Sequence, residues 1–244
     1  AVSFQTTPAG PAPEDYELDP DADVEDGSGF VGDSVDLTSS LRLTGYTVNT
    51  ELTGSLQLSA TGENVYKAYF DLMSYTVYYS NNVPEGVDID TVQETQRAYY
   101  NCEQPVLENP WEIEGYRFAG WSTSPSDDAD ITYREGDSIR VTRTTILYAC
   151  WNRELTDANG GADVLCVLRE EPGKIMMIRQ ALGERMGTYD AGTRYFYFSE
   201  KGAGNTLLRG RVSADGATFV YYTGEGLTEF AYMQYDMLSG ELVS

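Results

Sequence analysis

The side chains available for chemistry in this sequence are mainly carboxylates, arginines and tyrosines. The 244 residues include 39 Asp and Glu, 16 Lys and Arg and 19 Tyr, but no His. Without imidazole the chain can form no Ser-His-Asp or Cys-His catalytic group and no His-dependent zinc site. No nucleophile or phosphate-loop motif occurs either. We therefore predict no catalytic residues and no enzyme, with a carboxylate-based glycan-processing enzyme as an open alternative.

The strong negative charge limits the partners that the chain can bind. The formal net charge is −23 at pH 7, whereas contacts to phosphate groups need Lys and Arg. We therefore expect no nucleic-acid partner and no binding to anionic membranes. Self-repulsion favours a monomer. Because no apolar run approaches the about 20 residues of a transmembrane helix, we predict no membrane-spanning segment.

An acidic stretch near the start of the sequence is a candidate calcium site. Residues 14–26 hold eight carboxylates, and Asp19, Asp21 and Asp23 occupy alternate positions, as they do in calcium loops. The stretch departs from an EF-hand loop, because Val24 stands where the turn Gly should be. A solvated acidic loop is the alternative. No cofactor other than calcium is predicted.

Six side chains are candidates for binding a ligand: Trp111, Tyr78, Tyr100, Arg194, Arg209 and Arg211. The tryptophan lies on a predicted surface turn. The tyrosines belong to strand clusters in which one of two neighbours faces solvent, where it can stack on a sugar and donate a hydrogen bond. The arginines suit sialylated or sulfated glycans. Ordinary sheet aromatics, and arginines that are solvated or dock on the acidic N-terminal part, are the alternatives.

Alternating apolar and polar residues predict β-strands over most of the chain. Segments 75–79, 146–151 and 218–222 are rich in β-branched and aromatic residues. In the second of them, the period of two places Leu147 and Trp151 on the core face. The predicted core positions are Tyr46, Tyr116, Phe118, Trp121, Leu147 and Trp151.

Two segments carry helix signals. In 174–186, four apolar residues recur at a spacing near 3.6 and predict a helix. They are Ile175, Ile178, Leu182 and Met186. In 109–115, Asn109 is a natural N-cap and Gly115 a natural stop, which together predict a short helix.

The charge balance changes near residue 151 and indicates a domain boundary there. Residues 1–150 hold 26 acids and 7 bases, whereas 151–244 hold 13 acids and 9 bases. Beyond the boundary we predict an antiparallel meander with the 174–186 helix on its face. Its predicted strands are 164–169, 194–199, 206–213, 218–223 and 229–235.

The first 150 residues contain an internal repeat. LRLTGYTV at 41–48 parallels WEIEGYRF at 111–118, and VYKAYF at 65–70 parallels ILYACW at 146–151. In each copy a Gly-Tyr pair opens one strand, and another strand ends on a large aromatic residue. Two units of strands with a short helix predict tandem β-grasp-like repeats.

Three motifs follow in order in the second copy: GYRFAGW at 115–121, YREGD at 133–137 and TTILYACW at 144–151. They resemble the Listeria–Bacteroides repeat, the B-repeat type of internalin-like surface proteins. In the first copy, GYTV at 45–48 and ENVYKAYF at 63–70 are similar to the mucin-binding-protein (MucBP) repeat. These resemblances imply β-grasp folds in a secreted or cell-surface protein of a Gram-positive or gut bacterium.

We therefore expect a mainly β or α+β chain with four parts. They are a proline-rich spacer at 1–13, a MucBP-like repeat at 14–72, a Listeria–Bacteroides-type repeat at 73–152 and an α+β meander domain at 153–244. The expected function is non-enzymatic adhesion to, or recognition of, a host or cell-wall glycan, a mucin or a protein outside the cell. A structural spacer that presents other modules is the alternative.

Overall fold

The computed structural model of the chain describes residues 2–5, 16–18, 27–62, 64–127, 129–158, 163–179, 183–200 and 206–222. Every regular element in these ranges is a β-strand, so the fold is mainly β. The strands are β1 (Val2–Gln5), β2 (Tyr16–Leu18), β3 (Ser34–Val35), β4 (Tyr46–Val48), β5 (Leu56–Gln57), β6 (Ala68–Leu72), β7 (Ser74–Ser80), β8 (Gln93–Tyr99), β9 (Glu103–Pro105), β10 (Tyr116–Ser122), β11 (Ser138–Arg140), β12 (Thr145–Asp157), β13 (Val164–Leu168), β14 (Lys174–Arg179), β15 (Gly183–Asp190), β16 (Tyr195–Glu200), β17 (Thr206–Val212) and β18 (Thr218–Tyr222). Within these same ranges, no helix has the length and apolar character needed to cross a membrane.

The chain forms two compact units, each assembled from separate stretches. The first takes the described residues of Ala1–Tyr79, Gln93–Leu107 and Gly136–Ile146, and the second those of Ser80–Val92, Glu108–Glu135 and Leu147–Ser244. Strand β12 runs without a break through residue 152, where the sequence analysis places a boundary. The four-part division stays a prediction.

The first unit is built on a mixed four-stranded sheet. Its order is β2-β1-β6-β4, with β1 and β6 parallel and the two outer strands antiparallel to their neighbours. In β6, the buried residues Ala68, Phe70 and Leu72 alternate with partly exposed ones, so one face of this sheet packs on the core. The pairs β3 with β5 and β9 with β11, and the neighbouring strands β7 and β8, complete the unit.

The second unit contains a sheet that closes on itself. Strands β13 to β18 follow one another as an antiparallel meander. The end of β12 pairs antiparallel with β13, where Leu155 meets Leu165, and parallel with β18, where Thr156 meets Thr218. These seven strands belong to a large mixed sheet, in which β12 joins the first and last strands of the meander and also pairs antiparallel with β10.

Four of the strands predicted for the C-terminal part coincide with strands of the structure, although the predicted helix between the first two does not form. Strands β13, β16, β17 and β18 lie where the alternation places them. The turn between β17 and β18 uses Gly216, whose φ is 65°, and the Gly216 N–H donates to the carbonyl of Ser213 at 3.1 Å. The strand predicted at 229–235 lies outside the described residues.

Large apolar side chains fill the inside of the closed sheet. The buried cluster consists of Leu155, Leu165, Ile175, Met177, Phe196, Phe198, Val212 and Phe219. Phe196 lies opposite Gly210 on the neighbouring strand. A Cβ on Gly210 would overlap the Phe196 ring and the carbonyl oxygen of Val220. Gly210 therefore leaves the room that the ring occupies.

The helix predicted at 174–186 is wrong, because the described residues of this segment belong to the antiparallel pair β14 and β15. Both faces of β14 are buried, since Ile175 and Met177 point inward and Met176 packs in a separate cluster on the opposite side. A run of apolar residues then hides the period of two. At the start of β15, Gly183 has a φ of 76°, a conformation that suits a turn and that glycine adopts freely.

The helix predicted at 109–115 is also wrong. The Asn109 side chain does accept a hydrogen bond from a backbone N–H, as an N-cap would, but the bond closes a turn and no helix follows. Its Oδ1 accepts from the Trp111 N–H at 3.3 Å, and its Nδ2 donates to the Trp111 carbonyl at 2.7 Å. Asn side chains favour such local turns because they offer the backbone an alternative to helical bonding.

The two Gly-Tyr pairs of the internal repeat form the same kind of turn. Gly45 and Gly115 have φ values of 85° and 76°. The next N–H donates to the carbonyl three residues back, at 3.1 Å to Leu43 and 3.0 Å to Ile113. A positive φ at the third position of such a turn is the reason that glycine is required. Strands β4 and β10 begin directly afterwards.

Candidate functional site

One surface of the closed sheet presents two tyrosines side by side along a strand. In β16, Phe196 and Phe198 belong to the buried inner cluster. Because side chains alternate along a strand, Tyr195 and Tyr197 point outward. Both are only partly buried, so their rings are available at the outer surface of the second unit.

Two arginines on the neighbouring strand lie opposite these tyrosines. In β17, Gly210 faces the inside, and Arg209 and Arg211 on either side of it face outward. The register pairs Arg209 with Tyr197 and Arg211 with Tyr195. We call the four residues Tyr195, Tyr197, Arg209 and Arg211 the Tyr–Arg face.

The guanidinium groups stack on the tyrosine rings. The Arg209 Cζ lies 4.9 Å from the centroid of Tyr195 and 4.9 Å from that of Tyr197. The Arg211 Cζ lies 5.1 Å from the centroid of Tyr195. Distances below about 6 Å allow cation–π attraction, worth roughly 0.5–1 kcal/mol where the pair is exposed. The four side chains therefore form one packed layer that is partly open to water.

Backbone carbonyls fix two of the arginines at the edge of this layer. The Nε of Arg211 donates to the Thr193 carbonyl at 3.1 Å, and the Nε of Arg194 donates to the Val212 carbonyl at 3.3 Å. Arg194 directly precedes β16 and has a φ of 61°, which is uncommon for a residue with a side chain. The structure thus brings together all three arginines that the sequence singles out.

Asp190 lies beside the Tyr–Arg face, but its carboxylate is engaged by a turn. It is opposite Tyr195 on β15, and its Oδ1 accepts from the N–H groups of Gly192 at 2.9 Å and Thr193 at 3.3 Å. These backbone hydrogen bonds hold the pKa of Asp190 below its usual range. Among the described residues, no salt bridge joins Asp190 to an arginine, so we assign it to turn stability.

The chemistry of the Tyr–Arg face is suited to binding. A guanidinium presents a planar fork of donors that matches a carboxylate or sulfate. A tyrosine ring offers an apolar face for a sugar ring and a hydroxyl that donates or accepts a hydrogen bond. The four residues include neither a nucleophile with a base nor a carboxylate pair of the kind that cleaves glycosides.

The other three predicted ligand residues are not part of the Tyr–Arg face. Trp111 is partly buried, and its ring meets that of Trp121 edge-on with the centroids 6.0 Å apart. Tyr100 is partly buried in the first unit, where its ring occupies the space that a Cβ on Gly45 would need. Tyr78 is partly buried on β7.

The predicted core residues divide into two groups. Trp121, Leu147 and Trp151 are buried, whereas Tyr46, Tyr116 and Phe118 are partly exposed. The Phe118 ring contacts both neighbouring tryptophans edge-on, with centroids 5.0 Å from Trp121 and 5.6 Å from Trp151. The Trp151 Nε1 donates to the Asn81 carbonyl at 2.8 Å. These aromatic rings form a packed cluster around one side of β12.

The candidate calcium loop lies outside the described residues, so the structure gives no geometry for Asp19, Asp21 and Asp23. Within the part of the chain that is described, no group of three or more Cys, Asp or Glu side chains is placed to hold a metal ion. Calcium at the acidic stretch stays a prediction.

Comparison with known proteins identifies no relative: no protein-family model, no curated protein and no solved structure matches the chain. The features that bear on function are therefore those of the chain itself. Of these, the Tyr–Arg face is the surface on which several predicted ligand residues meet.

Tyr195 and Tyr197 are candidates that the sequence analysis does not single out. Their signal is the string YFYF at 195–198, in which ring and hydroxyl-bearing ring alternate. That string predicts one apolar and one wet face for the strand. The partners of the wet face depend on the register with β17, which a single strand does not reveal.

Proposed function

We propose that the chain is a non-enzymatic recognition module of a secreted or cell-surface protein, and that its Tyr–Arg face binds acidic glycans. The observation that carries this proposal is the position of the Arg209 guanidinium over two tyrosine rings, 4.9 Å from each centroid. Stacking holds the guanidinium in place before a ligand arrives, which reduces the entropy lost on binding. Carboxylate or sulfate groups on sugar rings fit this combination of donors and aromatic surface.

The charge of the chain favours small anionic groups over long polyanions. With 39 acids and 16 bases, the chain as a whole repels polyanions. Arg194, Arg209 and Arg211 nevertheless meet at one place, and a local cationic site in an acidic protein can select a single carboxylate or sulfate.

Two features support the surface-protein part of the proposal. The motifs at 115–121, 133–137 and 144–151 resemble a repeat of bacterial surface proteins. In the first unit, the sheet order β2-β1-β6-β4 with its central parallel pair fits a β-grasp-like plan. The matching Gly-Tyr turns at Gly45 and Gly115 support two copies of one plan.

The test is binding of the purified chain to immobilised glycans in four classes: neutral, sialylated, uronic-acid-containing and sulfated. We expect binding to the acidic classes that weakens as salt is raised, because exposed charge pairs are screened. The double variant Arg209→Ala, Arg211→Ala should bind at least tenfold more weakly, a loss of about 1.4 kcal/mol. Preference for neutral glycans, or no binding to any class, would contradict the proposal.

Two controls locate the site. The double variant Arg97→Ala, Arg143→Ala removes two exposed arginines of the first unit with the same change in charge, and it should bind like the unaltered chain. Equal loss in both variants would mean that net charge, not the Tyr–Arg face, governs binding. Binding that disappears with a chelator would instead assign recognition to the acidic stretch with Asp19, Asp21 and Asp23.

A further inference from the structure

A cleft of about 200 Å³ in the second unit is lined by opposite charges. Glu85 and Asp127 supply carboxylates, and Arg153 and Arg169 supply guanidinium groups. None of these four residues belongs to the Tyr–Arg face. The cleft is smaller than the 300–1,000 Å³ that drug-sized ligands typically need, so its scale is that of a single small metabolite.

The opposite charges in the cleft are not engaged with one another. The salt bridges within the described ranges join Arg117 to Glu184 and Arg140 to Glu103, and none involves a charged residue of the cleft. Opposite charges that share a concave site without pairing can each take a partner from a ligand. A ligand that carries both charges satisfies both sides at once.

One of the two arginines of the cleft is held by contacts to the backbone and to an amide side chain. Arg169 is partly buried, and its Nη2 donates to the Ala129 carbonyl at 2.6 Å. Its backbone N–H donates to the Asn152 Oδ1 at 3.2 Å. Arg153 is exposed, and its charge also lowers the pKa of Asp215 after the larger effect of the Ser213 hydroxyl. Arg169 is therefore the better placed of the two arginines.

A residue with a strained backbone conformation also lines the cleft. Asn82 lines the cleft with a φ of 41°, an uncommon conformation for a residue with a side chain. Its Nδ2 donates to the carbonyls of Ala149 at 3.0 Å and Pro125 at 3.3 Å. With its N–H groups committed to the protein, the amide of Asn82 retains its oxygen as an acceptor.

Charged groups of both signs affect the pKa of Cys150, whose thiol lies at the cleft. Burial raises the pKa of Cys150, the guanidinium of Arg169 lowers it, and the carboxylate of Asp127 raises it. Both charged groups therefore act on one small space. Beside them, Trp151 and Tyr116 supply aromatic surface.

We propose that this cleft binds a small zwitterion of the α-amino-acid class. The ligand carboxylate would accept hydrogen bonds from Arg169, and its ammonium would donate to Asp127, with Glu85 as a second carboxylate of the lining. Its side chain would lie against Trp151 and Tyr116. Neutral sugars and simple anions would engage at most one of the two sets of charges, so they should bind more weakly than a ligand that carries both charges.

The first test uses the indole N–H signals of the chain in a ¹H–¹⁵N spectrum, recorded while the twenty protein amino acids are added one at a time. Trp111, Trp121 and Trp151 give three signals, and only Trp151 lines the cleft. We expect at least one amino acid to shift the Trp151 signal most. Its N-acetyl and carboxamide derivatives, which each lack one charge, should bind at least tenfold more weakly.

Matched variants then test the assignment of the charges. Asp127→Asn should lower the affinity for the most tightly bound amino acid at least tenfold. Asp130 is an exposed residue nearby that does not line the cleft, so Asp130→Asn should leave this affinity unchanged. Arg169→Gln should weaken binding of that amino acid more than Arg153→Gln does. Each of these two variants is first checked for an unchanged thermal midpoint. The proposal is overturned if no amino acid shifts the Trp151 signal or if a singly charged derivative binds as tightly as the amino acid. It is also overturned if Asp130→Asn loses as much affinity as Asp127→Asn.

Discussion

The outer surface of the closed sheet has two regions whose side chains differ in solvent exposure. On β13 and β14, the outward-facing Cys166, Leu168 and Met176 are buried. On β16 and β17, the outward-facing side chains of the Tyr–Arg face are partly exposed. The strands belong to one sheet with one alternation, so the difference arises from what lies over each region.

Side chains of β10 and of the following segment contact residues that lie next to the buried region. Arg117 of β10 forms a salt bridge with Glu184 at 3.0 Å, and Arg134 donates to the Glu170 carbonyl at 2.6 Å. The outward-facing residues are apolar in the buried region and are tyrosines and arginines at the Tyr–Arg face. The open region therefore presents stacked rings and cations to water, and these are the groups on which the proposed glycan binding depends.

The largest expected effect comes from breaking the covered region. Met176→Ala should lower the free energy of unfolding by about 2–5 kcal/mol, because it removes a buried side chain and leaves a cavity. Met186→Ala is the control, since Met186 lies opposite Met176 in the register but is exposed. Urea unfolding of both variants measures the difference. Equal losses would mean that the two positions are covered alike.

The covered region should also make stability depend on alkaline pH. Burial raises the pKa of Cys166 from 9.0 to about 12, so the folded state keeps the thiol proton after the unfolded state has lost it. Stability is therefore intact below pH 9 and falls as the pH rises towards 12, by up to about 1.4 kcal/mol per pH unit.

The pH prediction is checked by urea unfolding of the unaltered chain and Cys166→Ala between pH 8 and 11. The unaltered chain should lose more stability than the variant above pH 9. Cys102→Ala, which leaves Cys166 in place, should follow the unaltered chain. Parallel curves for the unaltered chain and Cys166→Ala would show that the thiol does not contribute.

The open region should respond in the reverse manner, with little change in stability and a large change in binding. Arg209→Ala should cost about 1 kcal/mol of unfolding free energy, the scale of its cation–π contacts. Arg209→Lys keeps the charge but loses the planar stack, and it should bind acidic glycans more weakly than the unaltered chain. Full binding by Arg209→Lys would show that charge alone suffices.

The smallest expected effect concerns the exposed contact between β10 and β15. The Arg117 and Glu184 side chains are 39% and 56% exposed, so their salt bridge is worth about 1 kcal/mol or less. Arg117→Ala should shift the urea midpoint only slightly, and added salt should reduce the shift further. A loss comparable to that of Met176→Ala would mean that this contact, and not apolar burial, holds the cover in place.

The parts of the fold that the sequence predicts are those in which one face is wet. Tyr195 and Tyr197 alternate with phenylalanines, and the resulting strand is where alternation places it. The segment 174–186 misleads because both faces of β14 are buried, so its run of apolar residues has no period of two. Cover on the outer face comes from residues distant in sequence, and no local pattern reports it.

The candidate site is predicted only in part for the same reason. The arginines stand out because they are scarce in an acidic chain. Their stacking on Tyr195 and Tyr197 follows from the register of two strands, which is set by the closure of the whole sheet. The cleft around Cys150 draws on three separate stretches of the chain, and each stretch alone contains ordinary polar residues.

The closure of the sheet through β12 also constrains the order in which the chain can fold. Thr156 of β12 pairs with Thr218 of β18, so the ring is completed by residues about sixty positions apart. Contacts between residues so far apart in sequence form late in folding, because closing the long loop between them costs chain entropy. During synthesis the N-terminal strands emerge first, yet β12 receives its last partner only when β18 has left the ribosome. The second unit should therefore complete its fold only after β18 has emerged.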